Sequence, residues 1–398
     1  MIEIVPPQFQ KGSYMQSFAP YTDVHFGENA LAHLSTLEYD RAFIIADPFV
    51  VSSGLIKNVT KHLDAADIKY TLYTDVAPDP SIEKVVAGVN ALVADRSPCI
   101  IAVGGGSALD LTKAVRCFAY KMDNSYFPRF IAIPTTSGTG SEVTSFAVIT
   151  DVQNNVKHAL IDNKLLPEEA ILDGEMVKSV PANITADTGM DVLTHAVEAY
   201  VSTNCNVFSD MYAVKAAQIC RSHLLLSYNF ASNGNIEARE KMHLASNFAG
   251  VAFNAASLGL NHGMAHQLGA HFHIPHGRAN AMLLPKIIGY NTGVDNTTLS
   301  FITPSPCIKK YAKLARRMDV GGYNDVASVK SLMNYIDEML VQMNMPRTVR
   351  EAVPGLSREE YMSKLSEMAD AALADRCTPT NPRIPTKADV MEIFANLY

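Results

Sequence analysis

Residues 1 to about 180 alternate short apolar runs with longer amphipathic stretches. The apolar runs have the length and the β-branched content of buried strands, and they cover residues 42–46, 70–73, 99–103 and 130–133. The stretches between them predict helices over residues 52–65, 82–95 and 108–120. This alternation favours a parallel sheet covered on both faces. Two further runs, at 146–149 and 158–161, predict a hairpin added to that sheet.

After about Pro181 the pattern changes, because apolar residues now recur every three or four positions and predict helices. The predicted helices cover residues 185–201, 208–226, 236–269, 277–290, 307–318, 326–343, 358–375 and 387–397. The chain is therefore expected to form two parts, an α/β domain with a Rossmann-like parallel sheet over residues 1–182 and an all-helical domain over residues 183–398.

Composition narrows the possible partners. The 398 residues are 48% hydrophobic and 18% charged, with 33 basic and 40 acidic residues and no block of like charge. A nucleic-acid or anionic-membrane partner would require clustered Lys and Arg, so neither is expected. The six cysteines lack CxxC spacing, which indicates reduced thiols. The N-terminus carries Glu3 and Pro6-Pro7 instead of a secretory pattern, and no apolar stretch is long enough to span a membrane. We therefore expect a cytoplasmic protein.

A glycine loop follows the third predicted strand. Gly104, Gly105, Gly106 and Ser107 lead directly into a helix, so their backbone can approach an anion at the positive end of that helix. The strict GxGxxG spacing fails, since Leu109 stands at the last glycine position. A tight strand-to-helix turn without a ligand explains the same residues.

A second polar loop, with Thr135, Thr136 and Thr139, follows the fourth predicted strand. Ligands of open α/β sheets bind at the carboxyl ends of strands, so the two loops together predict a dinucleotide site. Asp47 ends the first predicted strand, where a carboxylate can hold ribose hydroxyls and repel a 2′-phosphate, which would select NAD. Because Asp47 precedes the glycine loop instead of following it, a simple turn residue before Pro48 is the alternative.

The helical half carries a concentration of potential metal ligands. Eight of the twelve histidines lie between His195 and His276. Asp191 with His195, and His262 with His266, are each four residues apart, so each pair projects from one helix face. Carboxylate and imidazole ligands suit a first-row divalent metal such as Fe, Zn, Co, Ni or Mn. Surface or capping pairs have the same spacing, and this remains the alternative.

Together these motifs resemble those of the iron-containing (group III) alcohol dehydrogenases, which share a fold with glycerol dehydrogenase and dehydroquinate synthase. The resemblance covers nearly the whole chain. It includes the two polar loops, the segments Gly189–Glu198, Gly259–His266 and Pro275–Gly277, and the closing residues Cys377-Thr378 and Asn381-Pro382-Arg383.

The resemblance implies a dehydroquinate synthase-like fold whose cleft holds NAD(P) and one divalent metal. The implied metal ligands are Asp191, His195, His262 and His276. His266 corresponds to a non-ligand histidine near the nicotinamide and is a candidate proton relay, with a cleft-lining role as the alternative. The implied nucleotide-binding residues are Asp47, Gly104, Gly105, Gly106, Ser107, Asp110, Thr135, Thr136, Thr139, Val148 and Lys157. The role of Asp79 stays open.

The resemblance further implies hydride transfer between NAD(H) and a short-chain alcohol or aldehyde of two to four carbon atoms, in a homodimer or larger assembly. Four protein ligands leave positions open on a five- or six-coordinate ion, which favours iron over zinc. A dehydroquinate synthase-like or glycerol dehydrogenase-like enzyme acting on a polyol or sugar-derived substrate is the main alternative. A non-haem iron oxygenase and a nucleotide sensor explain fewer of the motifs. Because some relatives work inside bacterial microcompartments, that location stays open.

Overall fold

The computed structural model describes residues 18–153, 156–294 and 305–398, and six of its strands form one parallel sheet. The eight strands of the described residues are β1 (Asp23–Phe26), β2 (Arg41–Ala46), β3 (Lys69–Tyr73), β4 (Cys99–Gly104), β5 (Arg129–Pro134), β6 (Phe146–Asp151), β7 (Val156–Ile161) and β8 (Glu169–Leu172). The sheet order is β1-β8-β5-β4-β2-β3, and all of its pairings are parallel. Strands β6 and β7 form a separate antiparallel pair.

Helices cover the sheet and build the second half of the chain. They are α1 (Pro48–Ser52), α2 (Lys57–Ala65), α3 (Ile82–Asp95), α4 (Gly106–Met122), α5 (Gly174–Val177), α6 (Ala182–Val201), α7 (Val207–Tyr228), α8 (Phe230–Asn233), α9 (Ile236–Ala256), α10 (Leu260–Phe272), α11 (His276–Thr292), α12 (Ile308–Arg317), α13 (Asp325–Gln342), α14 (Val349–Ala352), α15 (Arg358–Ser363), α16 (Leu365–Ala374) and α17 (Lys387–Ala395). Short 3-10 turns lie at Ala30–Thr36, Ser141–Val143, Asn163–Leu165 and Thr378–Thr380.

The central strands β2, β4 and β5 are almost entirely apolar because both of their faces are buried. Successive residues of a strand point to opposite faces. Phe43 and Ile45 of β2 pack with α3 and α4, whereas Ala42 and Ile44 pack with α2 and the turn Ala30–Thr36. The prediction of a parallel sheet covered on both faces is therefore confirmed, together with the all-helical character of the second half.

Three details of the predicted α/β part are wrong. The strands β1 and β8 were not predicted, because each is only four residues long and polar residues interrupt the apolar pattern. The predicted hairpin exists, but it is not added to the sheet; its one bridge outside the hairpin joins Thr150 to Ser81. The single helix predicted over 52–65 is two helices, α1 and α2, with Gly54 at positive φ between them.

Two predicted helices of the second half are also interrupted. The segment 236–269 divides into α9 and α10, because Ser257 has a left-handed φ of 62° and ends the first helix. The segment 358–375 divides at Lys364 into α15 and α16. The break after α9 matters for the site, since it lets α10 begin at a new angle near α6. Within the residues that the structure describes, no helix is long and apolar enough to cross a membrane.

Candidate metal centre and nucleotide-binding edge

Four side chains from three helices converge in the helical half. Asp191 and His195 lie one turn apart on α6, His262 is in the first turn of α10, and His276 is the first residue of α11. Asp191 Oδ1 lies 3.9 Å from His195 Nε2, 3.7 Å from His262 Nε2 and 3.5 Å from His276 Nε2. One potential ligand atom from each residue lies within 4.8 Å of the others. The four predicted ligands therefore meet at one point.

A glycine lets α11 approach α6 closely enough to complete this arrangement. A Cβ atom on Gly277 would lie 2.0 Å from the carbonyl oxygen of Asp187, so any larger residue would push the two helices apart. Arg278 fixes the crossing with two hydrogen bonds, of 3.1 and 3.0 Å, to the Asp187 carboxylate. The neighbouring His276 is thereby held against Asp191.

A second carboxylate orients one of the imidazoles. His262 Nδ1 is hydrogen-bonded to Glu198 Oε2, and the backbone N–H of Asn261 donates to Glu198 Oε1 over 2.8 Å. All three residues are buried. A carboxylate on Nδ1 leaves Nε2 directed at the centre, and this is how metal-ligating histidines are usually supported.

The charges around the centre favour an ionised Asp191 and a neutral His195. Burial alone would raise the pKa of Asp191, but the three imidazoles outweigh it and hold that pKa well below its usual range. Burial lowers the pKa of His195 to about 4. Burial would also lower the pKa of His262, but the Glu198 and Asp191 carboxylates raise it to about 9. His195 is therefore neutral and offers the free lone pair that a metal requires, whereas His262 would have to release a proton to bind one.

The donor set at the centre fits a divalent cation. Asn280 Nδ2 is the polar donor nearest to it, at 2.8 Å from Asp191 Oδ1 and 3.1 Å from both His262 Nε2 and His276 Nε2. One NH₂ group has only two hydrogens, so it cannot satisfy three acceptors at once. A buried acceptor without a donor costs on the order of 1–3 kcal/mol. A cation bound by one carboxylate and three imidazoles removes that cost.

His266 lies beside this cluster but has a different partner. Its Nδ1 is 2.7 Å from Asp375 Oδ2, and its ring stacks on that of His276 with centroids 5.4 Å apart. Burial raises the pKa of Asp375, but the hydrogen bond from His266 outweighs it and lowers that pKa to about 2. The Asp375 carboxylate therefore leaves His266 Nε2 directed elsewhere, and the His266 side chain is 41% exposed.

The two polar loops lie side by side at one edge of the sheet. The adjacent strands β2, β4 and β5 lead into Asp47, Gly104 and Thr135, respectively. Two backbone hydrogen bonds join these strand ends: Asp47 N–H donates to Val103 O over 3.0 Å, and Thr135 N–H donates to Gly104 O over 2.9 Å. The glycine loop has no room for side chains, because a Cβ on Gly106 would lie 2.9 Å from Thr139 Cγ2. A Cβ on Gly104 would lie 2.6 Å from Ala108 Cβ, whereas one on Gly105 would meet Thr136 Cγ2 at 3.4 Å, and Ser107 is in the first turn of α4.

The second loop connects this edge to the metal cluster. A Cβ on Gly138 would lie 2.7 Å from Thr188 Cβ, so the loop packs directly on α6. Thr188 precedes Asp191 by three residues, or about one helical turn. The second polar loop therefore contacts α6 about one helical turn from the converging side chains.

The hairpin β6–β7 borders the same edge. Both Asp110 carboxylate oxygens are engaged: Oδ2 accepts from the backbone N–H of Val148 over 2.9 Å and Oδ1 from Ser141 Oγ over 2.8 Å. Burial raises the pKa of this carboxyl. Lys157 of β7 is ion-paired with Asp79 over 2.7 Å, and both side chains are exposed. The contacts of Asp110 with Val148 and of Lys157 with Asp79 thus hold the hairpin in place.

Three further residues of the site, Glu198, Asn280 and Asp375, were not assigned roles from sequence. Glu198 follows Asp191 by seven positions on α6 and Asn280 follows His276 by four on α11, so helical spacing could have found both. Phe253 stacks on His195 at 4.5 Å and forms an apolar wall with Phe146. Asp375 is 109 residues from His266, and no local pattern signals that contact.

Comparisons with known proteins identify the family of the chain. The family model for iron-containing alcohol dehydrogenase matches residues 21–174, and the model for the C-terminal part of the Fe-containing alcohol dehydrogenase family matches residues 185–398. The chain is 40% identical to a 1-propanol dehydrogenase PduQ from Citrobacter freundii, covering 96% of this chain and 100% of that protein. It is 36% identical to an NADPH-dependent butanol dehydrogenase from Clostridium saccharobutylicum, over 96% and 98% of the two chains.

Solved structures give the same result. An alcohol dehydrogenase from Oenococcus oeni superposes with a TM-score of 0.85 at 29% identity, covering 96% of this chain and 100% of that one. A 1,3-propanediol oxidoreductase superposes with a TM-score of 0.84 at 30% identity over the same shares. The fold, the convergent ligands and the matches over both halves lead to one conclusion: the chain belongs to the iron-containing alcohol dehydrogenase family.

Proposed function

We propose that this oxidoreductase transfers a hydride between NAD(H) and a short-chain alcohol or aldehyde, with aldehyde reduction as its main direction. The observation that carries the proposal is the convergence of Asp191, His195, His262 and His276 beside the polar loops of the sheet. In this proposal residues 1–182 bind the nucleotide and residues 183–398 bind the metal.

Asp191, His195, His262 and His276 would hold the metal, with Glu198 orienting His262. When bound there, a divalent ion supplies a Lewis acid for the alcohol or carbonyl oxygen of the substrate. Four protein ligands leave a position for that oxygen on an ion that accepts more than four, which favours iron, with zinc as the alternative.

The nucleotide-binding residues in this proposal are those predicted from sequence. Gly104, Gly105, Gly106 and Ser107 would approach the phosphates, and Thr135, Thr136 and Thr139 would bind the nucleotide from the neighbouring loop. Asp110 would contribute indirectly, because its carboxylate holds the backbone of Val148 in place. Lys157 would reach the nucleotide from β7, where it is ion-paired with Asp79. The Asp47 carboxylate, at the end of β2, would bind ribose hydroxyls and disfavour a 2′-phosphate.

His266 would move the proton that accompanies hydride transfer. The Asp375 carboxylate fixes its ring through Nδ1, so Nε2 is the atom available to a substrate, a ribose hydroxyl or water. This assignment makes His266 the candidate catalytic residue and Asp375 the group that positions it.

A small apolar substrate fits the surroundings of the centre. Phe253 covers His195 and contacts Phe146, so one side of the centre excludes water. The similar proteins named above act on butanol, 1-propanol and 1,3-propanediol. We therefore propose substrates of two to four carbon atoms.

We also propose a homodimer or larger homo-oligomer in the cytoplasm or in the lumen of a bacterial microcompartment. Strand β1 is an edge strand with an exposed Phe26, and exposed Val207 and Met211 begin α7. Within the described residues, an edge strand and exposed apolar side chains both suit contact with a second copy. Light scattering on the purified protein tests the assembly, and fractionation of producing cells tests the location.

The decisive experiment is an anaerobic panel of initial rates with acetaldehyde, propanal, butanal and the corresponding alcohols and diols. It is run with NADH and NADPH and alongside elemental analysis. We expect NADH consumption that a chelator abolishes and Fe(II) restores. Full activity after complete demetallation would contradict the role of the metal. Turnover of a polyol or sugar-derived substrate without net NADH consumption would favour the dehydroquinate synthase-like alternative.

A further inference from the structure

A lysine amine and a cysteine thiol are in unusually close contact outside the site described above. Lys310, in α12, places its Nζ 2.6 Å from the Sγ of Cys205, which lies in the turn between α6 and α7. An N–H···O hydrogen bond spans about 2.9–3.0 Å, and an N–H···S contact must be longer because sulfur is larger. The separation is therefore too short for an ordinary contact, but it suits two atoms joined through one small bridging atom.

The surrounding groups hold the amine beside the sulfur. Lys310 Nζ also lies 2.6 Å from the Tyr200 carbonyl oxygen and 3.5 Å from Asp210 Oδ1, and it sits 4.9 Å from the centre of the Tyr200 ring. Three partners fix the end of a side chain that would otherwise lose substantial rotamer entropy on ordering. The amine is therefore already in position before any chemistry occurs.

Small oxidants can reach the thiol. Cys205 is partly exposed and lines a cavity of about 1120 Å³ that opens to solvent and is bordered by Phe18, Tyr212 and Asn254. Susceptibility of a cysteine to oxidation depends on such access. Cys99 and Cys220, in contrast, are fully buried.

We propose that Cys205 and Lys310 form a covalent N–O–S cross-link when the protein meets a peroxide. One peroxide oxidises the Cys205 thiol to a sulfenic acid and leaves water. Once the Lys310 ammonium has released a proton to solvent, a second peroxide removes two hydrogens, one from the sulfenic O–H and one from the Lys310 amine, and an O–N bond forms as two waters leave. The overall balance is one thiol, one amine and two peroxides giving one S–O–N bridge and three waters.

The cross-link would tie the α6–α7 turn to α12. These segments are far apart in the chain, so a covalent bond between them restricts the unfolded state and should raise the Tm of the oxidised protein. The contacts of Cys205 and Lys310 described here do not involve the four converging side chains, so the cross-link would form independently of the metal centre.

Intact-mass and peptide mass spectrometry test the proposal on the full chain. After treatment with hydrogen peroxide, we expect a gain of about 14 Da, one oxygen added and two hydrogens lost, in a peptide pair that joins Cys205 to Lys310. The Cys205→Ser and Lys310→Arg variants should lose this product. The Cys307→Ser variant is the matched control and should keep it, because Cys307 contacts Ser305 and the Asn291 carbonyl instead of an amine.

Two results would overturn the proposal. The first is a gain of about 16 or about 32 Da on Cys205 alone, with the Lys310 peptide unlinked, because it would show the ordinary sulfenic and sulfinic products. The second is an unmodified Cys205 after the treatment. Circular dichroism of each variant before oxidation checks that it folds, so neither result can be attributed to a misfolded protein.

Discussion

Two clusters of histidine and carboxylate in this molecule have similar composition but different surroundings. One is the centre formed by Asp191, His195, His262 and His276, and the other joins His25 and His33 to Glu169 at the edge of the sheet. In both, the potential ligand atoms lie within 4.8 Å of one another. Distance alone therefore does not separate a metal centre from a network of hydrogen bonds.

The partners of each carboxylate separate them. Glu169 Oε2 is 2.6 Å from His33 Nε2, a hydrogen-bond distance, and Glu169 Oε1 accepts from Arg129 Nε over 2.9 Å. A guanidinium already neutralises this carboxylate. Asp191, in contrast, has its imidazoles at 3.5–3.9 Å, which is too long for hydrogen bonds. The comparison indicates that a cation is needed only where the acceptors outnumber the donors.

The largest expected effect comes from removing the carboxylate of the centre. We expect Asp191→Asn to abolish tight metal binding and to lower turnover on the order of 10³-fold or more, because a Lewis acid contributes several kcal/mol to such a reaction. Metal content by mass spectrometry and initial rates of aldehyde reduction measure the two effects. His33→Ala is the control at the other cluster and should leave both unchanged. A metal content that falls equally in the two variants would show that the two clusters do not differ in their need for a metal.

A smaller effect is expected from the carboxylate behind the centre. Glu198→Gln keeps the size of the side chain but removes the charge that orients His262. We expect metal affinity to fall about 10- to 100-fold, as for other groups that support metal-bound histidines. Competition with chelators of graded affinity measures this change. An unchanged affinity would mean that the Asn261 and Glu198 contacts serve only the packing of α10.

The same comparison explains how far the sequence could be interpreted. The four-residue spacing of Asp191 and His195 placed both on one helix face, and the apolar runs located four of the six sheet strands. The spacing from His266 singled out His262, but nothing local showed which groups would surround His262 or His33, because the donors and acceptors around each come from distant segments. Arg129 and Glu169 meet only because β5 and β8 are neighbours in the sheet.

The missed strands have a related cause. The sequence DVHF of β1 alternates two polar with two apolar residues over only four positions, and its pairing with β8 bridges more than 140 residues. The break at Ser257 was also invisible, because an Ala- and Gly-rich stretch continues helical spacing across it. Local periodicity indicates which positions of one element are buried. Strand pairing and helix breaks depend instead on the elements that pack against it.

An effect of about tenfold is expected at the proton-transfer residue. Asp375→Asn removes the charge that fixes His266 Nδ1, so we expect lower kcat with little change in the KM for the nucleotide, since general acid–base groups act on the chemical step. A changed pH profile of kcat would distinguish this role from a structural one. Asp370→Asn is the control, because that carboxylate lies on α16, which ends just before Asp375, and pairs with Lys387 at the surface. Identical pH profiles for both variants would contradict the assignment.

A several-fold effect is expected on nucleotide choice. Asp47 also caps α1 by accepting from the backbone N–H of Phe49 over 2.8 Å, so its replacement by Gly would combine two changes. Asp47→Asn retains a good capping residue while removing the charge. We expect this variant to increase kcat/KM for NADPH relative to NADH, because the 2′-phosphate is no longer repelled. A ratio that stays at the wild-type value would remove Asp47 from nucleotide selection.

The smallest effect is expected at the cluster of His25, His33 and Glu169. Burial would raise the pKa of Glu169, but the hydrogen bonds from His33 and Arg129 outweigh it, so its pKa is lowered in the folded protein. A carboxyl with a lowered folded pKa stabilises the fold above its unfolded pKa and loses that contribution as the pH falls through the folded value. We expect Glu169→Gln to reduce the free energy of unfolding by about 1–2 kcal/mol near neutral pH. The difference should shrink below about pH 4, where the carboxyl of the unfolded chain takes up a proton before that of the folded protein does. Urea unfolding across this pH range measures it, and a difference that is constant with pH would show that the lost contacts are not those of an ionised carboxylate.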